Sequence, residues 1–122
     1  MNAITARYPS RAAIRMEIFH NLTVTLRTGY AMSVAMRLSK LPLKPFARRV
    51  GLPPQMARQI LDLHALFVGR FGPEVLSVNE DESVTIDPAI LTDFLSQPAA
   101  IKIVSDISSM SEANILYIIQ QT

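Results

Sequence analysis

The spacing of hydrophobic positions along the chain predicts a protein built mainly of α-helices. In residues 10–27, apolar side chains recur every four positions, which gives a helix one continuous apolar stripe. A proline before this segment and Gly29 after it are typical of helix ends. We predict a first helix over residues 10–27, although residues 21–26 also alternate in the way that a strand does. The stripe consists of Ile14, Ile18, Leu22 and Leu26.

Further helices are predicted where the same periodicity lies between helix-ending residues. Asp87 followed by Pro88 is a favourable helix start, because the carboxylate can cap the helix and proline fits its first position. Residues 99–107 fit a strand and a helix equally poorly and are assigned as helix. Ser109 with Glu112 matches a capping box that opens the last helix. Beyond the first, the predicted helices span residues 30–41, 45–50, 54–68, 88–95, 99–107 and 109–121.

One segment has the pattern of a β-hairpin instead of a helix. Residues 75–78 and 83–86 each alternate apolar and polar positions around the polar turn 79–82. Short alternating runs on either side of such a turn are typical of paired antiparallel strands. The sequence therefore predicts a two-stranded hairpin in this segment.

Residues 43–63 match the demands of two helices that meet at a steep angle. Such a pair needs a small side chain where the helices cross and a residue that tolerates positive φ in the turn. Ala47 supplies the first and Gly51, four residues later, supplies the second. Ala57 is the small residue on the second helix. The apolar residues that would fill the angle between the helices are Phe46, Val50 and Leu52. The buried face of the second helix would consist of Ile60 and Leu63.

The pattern in residues 43–63 resembles the helix-turn-helix of bacterial and phage transcription regulators. It departs from that family at Ala57, where a β-branched residue is usual, and at Pro53-Pro54, where a serine cap is frequent. Pro54 can still open a helix. With the hairpin included, the order helix, helix, helix, strand, turn, strand resembles the winged-helix family over residues 30–86.

The resemblance implies a fold that is mainly α with a small β-hairpin, a winged helix-turn-helix with extra N- and C-terminal helices. It implies a single domain over residues 1–122, with a core at about 30–86 and flanking helices at 10–27 and 87–121. A chain of this length can bury enough surface for one core. The flanking helices have apolar faces and are the predicted elements of a homodimer, since such modules usually bind paired half-sites.

The same resemblance implies a DNA-binding face on the helix that begins near Pro54. Glutamine and arginine side chains can form paired hydrogen bonds with adenine and guanine edges in the major groove. Basic side chains on the preceding helix would lie where that helix crosses the phosphate backbone. The candidate base-reading residues are Gln55, Arg58 and Gln59. The candidate phosphate contacts are Lys44, Arg48 and Arg49.

Charge is unevenly distributed along the chain. Residues 1–73 contain eleven of the twelve Lys and Arg but only two acids, whereas residues 74–122 contain one Lys and eight acids. If the two halves form different surfaces, one attracts phosphate and the other repels it; if they intermix in space, the field cancels. Phosphate would also repel the acids at 80–82, so the turn of the predicted hairpin is not expected to enter DNA.

The sequence lacks the residue patterns that catalysis and cofactor binding require. The chain has no cysteine and two histidines, His20 and His64, which we interpret as structural or surface residues. Its four glycines do not form a phosphate-binding loop. We therefore expect no catalytic residue, no metal and no cofactor, and a protein that is not an enzyme.

No apolar stretch approaches the roughly twenty residues of a membrane span, and the N-terminus lacks a secretory-signal pattern, which favours a cytoplasmic location.

Two functions remain open at the level of sequence. The first is a sequence-specific DNA-binding protein, a transcription regulator that acts as a homodimer on double-stranded DNA. The second is a winged-helix protein-interaction module, such as an adaptor in a larger assembly or a phage-type inhibitor, which binds a protein partner through its acidic C-terminal half. The helix-turn-helix pattern favours the first.

Overall fold

The protein is built of α-helices in a computed structural model that describes residues 10–76 and 86–120. No strand occurs in these two ranges, and no helix within them combines the length and hydropathy needed to cross a bilayer. A short 3-10 helix follows α3 at Pro73–Leu76. The described residues form six α-helices, which are α1 (Arg11–Ser39), α2 (Leu43–Val50), α3 (Pro54–Phe71), α4 (Pro88–Leu95), α5 (Pro98–Ser108) and α6 (Glu112–Gln120).

The first helix, α1, runs without interruption for 29 residues, so the predicted helix end at Gly29 is wrong. The hydroxyl oxygen of Ser10 accepts a hydrogen bond from the Ala13 N–H at 3.1 Å, which satisfies a donor that the first helical turn leaves unpaired. The helix ends at Lys40, whose φ of 58° is left-handed. Gly29 is buried against α3 instead of ending the helix.

The threonines in and just after the strand-like part of the sequence satisfy their hydroxyl groups within the helix. β-branched residues lose side-chain freedom in a helix and therefore disfavour it. The hydroxyl groups of Thr23, Thr25 and Thr28 each donate to the carbonyl oxygen four residues earlier, at 2.8 Å in every case. These bonds satisfy the hydroxyls within the helix, including that of the buried Thr23. The alternation in residues 21–26 is therefore compatible with helical backbone.

The predicted fold class is wrong, because a winged helix requires a β-hairpin and the described ranges contain only helices and turns. Val75 and Leu76, predicted to begin the first strand, belong to the 3-10 helix. Residues 77–85, which hold most of the predicted hairpin, lie outside the described residues. Leu76 is fully buried and Ile86 nearly so. The apolar residues that suggested strands thus anchor both ends of this segment in the core.

Two clusters of buried side chains hold the helices together. The main core lies between the first half of α1, the second half of α3 and helices α4 to α6. The small core lies between the second half of α1, α2 and the first half of α3. Members of the main core include Leu26, Leu63, Phe67, Phe94 and Ile115. The small core consists of Met32, Phe46, Ala47, Ala57 and Ile60.

The main core is formed to a large extent by helices that the sequence predicts only as flanking elements. That prediction places residues 10–27 and 87–121 outside a core formed by residues 30–86. In the structure, the apolar face of the first half of α1 packs against α4 and α6, and Ile115 and Ile119 of α6 are almost completely buried. The apolar faces assigned to a homodimer are therefore used largely within one chain.

A proline marks the start of α4 and of α5, and α4 also has a side-chain cap. Asp87 caps α4 as predicted, since its Oδ1 accepts from the Ala89 N–H at 2.9 Å and Pro88 occupies the first helical turn. The assignment of residues 99–107 as helix is confirmed by α5. Both helices begin with a proline, whose missing N–H would have no partner at that position in any case.

The start of α6 differs from the predicted capping box. The N–H of Asn114 donates to Oγ of Ser111 at 3.1 Å, so Ser111 caps the helix. Ser109 instead ends α5, with a left-handed φ of 64°. The capping serine therefore lies two positions later than the sequence predicts.

Candidate nucleic-acid interface

The turn between α2 and α3 has the conformation that the sequence predicts. Gly51 has a φ of 77°, a left-handed conformation that glycine adopts with little strain. The N–H of Gly51 donates to the carbonyl oxygen of Arg48 at 3.3 Å. The N–H of Leu52 donates to the carbonyl oxygen of Ala47 at 2.9 Å. These bonds form a Schellman motif, which satisfies carbonyl groups left free at the end of α2.

Two alanines let α2 and α3 pack closely. Ala47 and Ala57 are completely buried in the small core, so the prediction of small residues at the contact is confirmed. Phe46 and Ile60 fill the space beside them, together with Met32 of α1. Because this packing fixes the buried side of each helix, it also fixes the side that faces solvent.

The six predicted site residues all lie outside the two cores. Gln55 and Arg58 are exposed on α3, and Gln59 is partly buried. Side chains three and four positions apart share one side of a helix, so these three form a single outer face. The predicted phosphate contacts on α2 are all exposed, namely Lys44, Arg48 and Arg49.

An open groove of about 530 Å³ lies between the beginnings of α2 and α3, and we name it the α2–α3 groove. Lys44 lines it from α2, and Gln55 and Arg58 line it from α3. The structure thus brings one predicted phosphate contact together with two predicted base-reading residues, while the other three do not line the groove. The remaining lining residues are Pro42, Leu43, Pro45 and Pro54. Because proline restricts φ, the walls of the groove have little backbone freedom.

The surface around the groove is basic because acids are absent from this part of the chain. Between Glu17 and Asp62 the sequence contains seven Lys and Arg and no Asp or Glu. Arg37 and Lys40, at the end of α1, belong to this set and are exposed, yet they are missing from the predicted contacts. Lys40 is four residues from Lys44, so their Cα atoms are at most about 15 Å apart. The acid-free stretch is the sequence signal that identifies these two cations.

The basic and acidic halves of the chain meet at an ion pair. The guanidinium group of Arg70 donates to both carboxylate oxygens of Asp93, from Nε at 2.8 Å and from Nη2 at 3.2 Å. The hydrogen bond from Arg70 holds the pKa of the Asp93 carboxyl below its ordinary value. Since Arg70 is paired, the positive charge that a nucleic acid can use is concentrated in the second half of α1, α2 and the first half of α3.

His64 lies at the close contact between α1 and α3. Its ring meets the ring of Tyr30 edge to face, with 6.0 Å between the centroids. Its Nε2 is buried and has no hydrogen-bond partner among the residues that the structure describes. Burial lowers the pKa of the His64 imidazole below its ordinary value of 6.5, because the charged form loses water that no other group replaces.

We expect the protein to lose stability when the pH falls below the ordinary pKa of histidine. Above about pH 7.5, His64 is neutral in the folded and the unfolded chain and adds no pH dependence. Below about pH 6.5, the unfolded chain binds a proton that the folded chain binds less readily, so the free energy of unfolding falls. Urea unfolding at about pH 7.5 and about pH 5.5 measures this difference.

Two histidine variants assign the pH dependence to one ring. His64→Gln is expected to show a smaller fall in the free energy of unfolding between the two pH values than the wild-type protein. His20→Gln, a matched change at an exposed position of α1, is expected to keep the wild-type fall. The same fall in His64→Gln as in the wild type would show that His64 is not the titrating group.

The fold and the groove define a helical protein that carries a basic two-helix unit. Within residues 10–76 and 86–120, no three His, Asp or Glu side chains come together to hold a metal ion. No protein-family model, curated protein or solved structure matches the chain. The function is therefore inferred from the geometry and the charge of the α2–α3 groove.

Proposed function

We propose that the protein binds double-stranded DNA in a sequence-specific manner through α2 and the first half of α3. The observation that supports this most directly is the α2–α3 groove, where Lys44, Gln55 and Arg58 line one open surface. Arginine and glutamine can form paired hydrogen bonds with base edges, whereas lysine attracts phosphate in any sequence. Binding of this kind suits a transcription regulator.

In this proposal, the base contacts come from α3. Gln55 and Arg58 are exposed and lie within the first two turns of the helix, the part that contacts base edges when a recognition helix enters the major groove. Gln59 lies one helical turn beyond Gln55 and is partly buried. We therefore assign Gln59 a smaller part in base reading than its two neighbours.

The phosphate contacts come from α2 and from the end of α1. Each cation that neutralises a phosphate releases a counterion, so affinity falls steeply as the salt concentration rises. Arg37 and Lys40 add two exposed cations to those of α2 within the same acid-free stretch. The exposed cations of α2 are Lys44, Arg48 and Arg49.

We also propose that the protein acts as a homodimer and works in the cytoplasm, where a bacterial or phage regulator meets its DNA. A single two-helix unit buries little surface on DNA, and helix-turn-helix proteins commonly pair on two half-sites one helical turn apart. The exposed apolar side chains that would form the contact between the two copies are Met16 and Val24 of α1 and Tyr117 of α6.

A second candidate function is supported by the acids of the C-terminal helices. Asp87, Asp106 and Glu112 are exposed, and residues 74–122 hold eight acids against one Lys. An acidic surface of this kind can bind the basic surface of a partner protein. In that case the chain is an adaptor or an inhibitor in a larger assembly and does not bind duplex DNA.

Selection from a pool of random duplex DNA at two salt concentrations tests the DNA-binding proposal. The wild-type protein is expected to bind at low salt and to lose affinity steeply as the salt concentration rises. Arg58→Ala is expected to weaken the free energy of DNA binding by about 1–3 kcal/mol and to relax the base preference of the selected sequences. Arg48→Ala is expected to weaken all sequences alike and to reduce the salt slope by about 1.

Lys102→Ala is the matched control, because Lys102 is exposed on α5 and is the one Lys or Arg of residues 74–122. Its removal is expected to change neither the selected sequences nor the salt slope. If the wild-type protein does not bind duplex DNA at low salt but binds a basic protein, the second candidate function replaces the first. If Arg58→Ala leaves the selected sequences unchanged, α3 does not read bases.

A further inference from the structure

A cavity of about 300 Å³ lies between α1, α3, α6 and the end of α5. It shares no lining residue with the α2–α3 groove, and α2 contributes nothing to it. The cavity therefore constitutes a candidate site that is independent of DNA binding. Its apolar wall includes Leu22, Leu63, Val104 and Ile115.

The size of the cavity limits what can occupy it. An engineered cavity of about 150 Å³ lined by aliphatic and aromatic side chains binds benzene, which has six non-hydrogen atoms. At a similar packing, a cavity of twice that volume holds a molecule of about twelve non-hydrogen atoms, such as one ring with a short chain. Pockets that bind small molecules begin at about this volume.

One edge of the cavity is polar and carries a negative charge. Glu17, Asn21 and Thr25 line it at four-residue spacing along α1, which places them on one side of the helix. The Thr25 hydroxyl already donates to the backbone carbonyl of Asn21 at 2.8 Å. Glu17 is the charged residue of the lining, it is exposed, and it forms no ion pair within the described part of the chain. Its carboxylate is therefore free to receive a cation at the rim.

We infer that this cavity binds a small organic cation, with the apolar part inside and an ammonium group at Glu17. Burial of the apolar part supplies the affinity, because it removes hydrocarbon surface from water. The carboxylate supplies the selectivity, because a hydrogen bond between two charged groups is about twice as strong as a neutral one. A ligand with the same apolar part and a carboxylate of its own is repelled.

Three ligands that share one apolar part, a phenyl ring with four methylene groups, test this inference: 4-phenylbutylammonium, 4-phenylbutanol and 5-phenylpentanoate. Their affinities for the full chain are measured by isothermal titration calorimetry near neutral pH. We expect the ammonium compound to bind about threefold to tenfold more tightly than the alcohol, and the carboxylate to bind most weakly. If none of the three binds, or if the ammonium compound and the alcohol bind equally well, the inference is wrong.

Variants at the rim and in the wall separate the two parts of the site. Glu17→Gln is expected to remove the difference between the ammonium compound and the alcohol, while Glu112→Gln, which removes an exposed acid outside the cavity, is expected to leave it unchanged. Val104→Phe is expected to fill the cavity and weaken all three ligands at least about tenfold. If Val104→Phe does not fold, the comparison of Glu17→Gln with Glu112→Gln still decides. Persistence of the ammonium preference in Glu17→Gln would overturn the assignment.

Discussion

Phe67→Ala is expected to lower the free energy of unfolding by about 3–5 kcal/mol, the usual effect of deleting a buried aromatic ring. Phe67 is fully buried in the main core. Its ring centroid lies 4.9 Å from that of Phe71 and 5.1 Å from that of Phe94. The substitution removes both ring contacts and leaves a cavity where α3 meets α4. Since the total stability of a domain is about 5–15 kcal/mol, this one change removes a large fraction of it.

Urea and thermal unfolding measure this loss, and an exposed leucine provides the control. The midpoint temperature of Phe67→Ala is expected to fall by about 10–20 °C. Leu38→Ala also removes a large apolar side chain from a helix, but Leu38 is 77% exposed, so its effect should stay within about 0.5 kcal/mol. Similar losses in the two variants would show that Phe67 does not lie in a packed core.

Gly29→Ala is expected to destabilise the protein by about 2 kcal/mol, although alanine normally favours a helix. A Cβ at Gly29 would lie 2.6 Å from Cβ of His64 and 2.9 Å from the carbonyl oxygen of Ile60. Neither atom is the end of a flexible side chain, so α1 and α3 must move apart. Overpacking of this kind costs up to about 3 kcal/mol, which exceeds the roughly 1 kcal/mol that alanine gains in helix propensity.

The same substitution at Gly69 is expected to have the opposite sign. Gly69 is exposed on α3, and a Cβ there would meet no atom within 4 Å. Gly69→Ala should therefore stabilise the protein by about 0.5–1 kcal/mol, which is the propensity gain alone. Urea unfolding of both variants provides the comparison. A neutral or stabilising Gly29→Ala would show that the two helices do not make their close contact at Gly29.

The elements that local chemistry decides were predictable from the sequence. Gly51 was predicted in a turn because few other residues tolerate positive φ, and it has that conformation. Asp87 was predicted as a cap because its carboxylate can accept a backbone N–H, and it does so. In both cases the interaction that decides the structure lies within a few residues along the chain.

The role of Gly29 was not predictable in this way. A glycine that ends a helix and a glycine that lets two helices approach closely give the same local signal. The residues that distinguish the two roles here are Ile60 and His64, which lie more than one helix away in sequence. The apolar pattern therefore led to two helices where the structure has one.

The strand predicted to begin at Val75 is wrong for a related reason, since Val75 and Leu76 belong to a 3-10 helix. Alternation over four residues, as in 75–78, is too short to separate a strand from a helical turn whose apolar residues reach the core. Leu76 and Ile86 are both buried, so their apolar character reflects contact with the core. The helices of residues 87–121 were also predicted to flank the core and not to form it, because periodicity shows that a face is apolar but not what it packs against.

The site residues within the helix-turn-helix pattern were predictable from the sequence. The prediction was incomplete for residues outside that pattern. The exposure of Gln55 and Arg58 follows from the burial of Ala57 and Ile60 on the opposite side of α3. The groove that unites Gln55 and Arg58 with Lys44 required the packing of α2 on α3. The basic residues at the end of α1 were missed because they precede the pattern.

Binding of DNA by α2 is tested most directly by two double variants of equal net charge. One is Arg48→Gln with Arg49→Gln, and the other is Arg11→Gln with Lys102→Gln, which removes two cations from α1 and α5. The affinity for duplex DNA is measured as a function of salt concentration. We expect the first pair to weaken binding and reduce the salt slope by about 2, while the second keeps the wild-type slope. Equal losses in both pairs would contradict the proposal, because affinity would then follow overall charge and not the cations of α2.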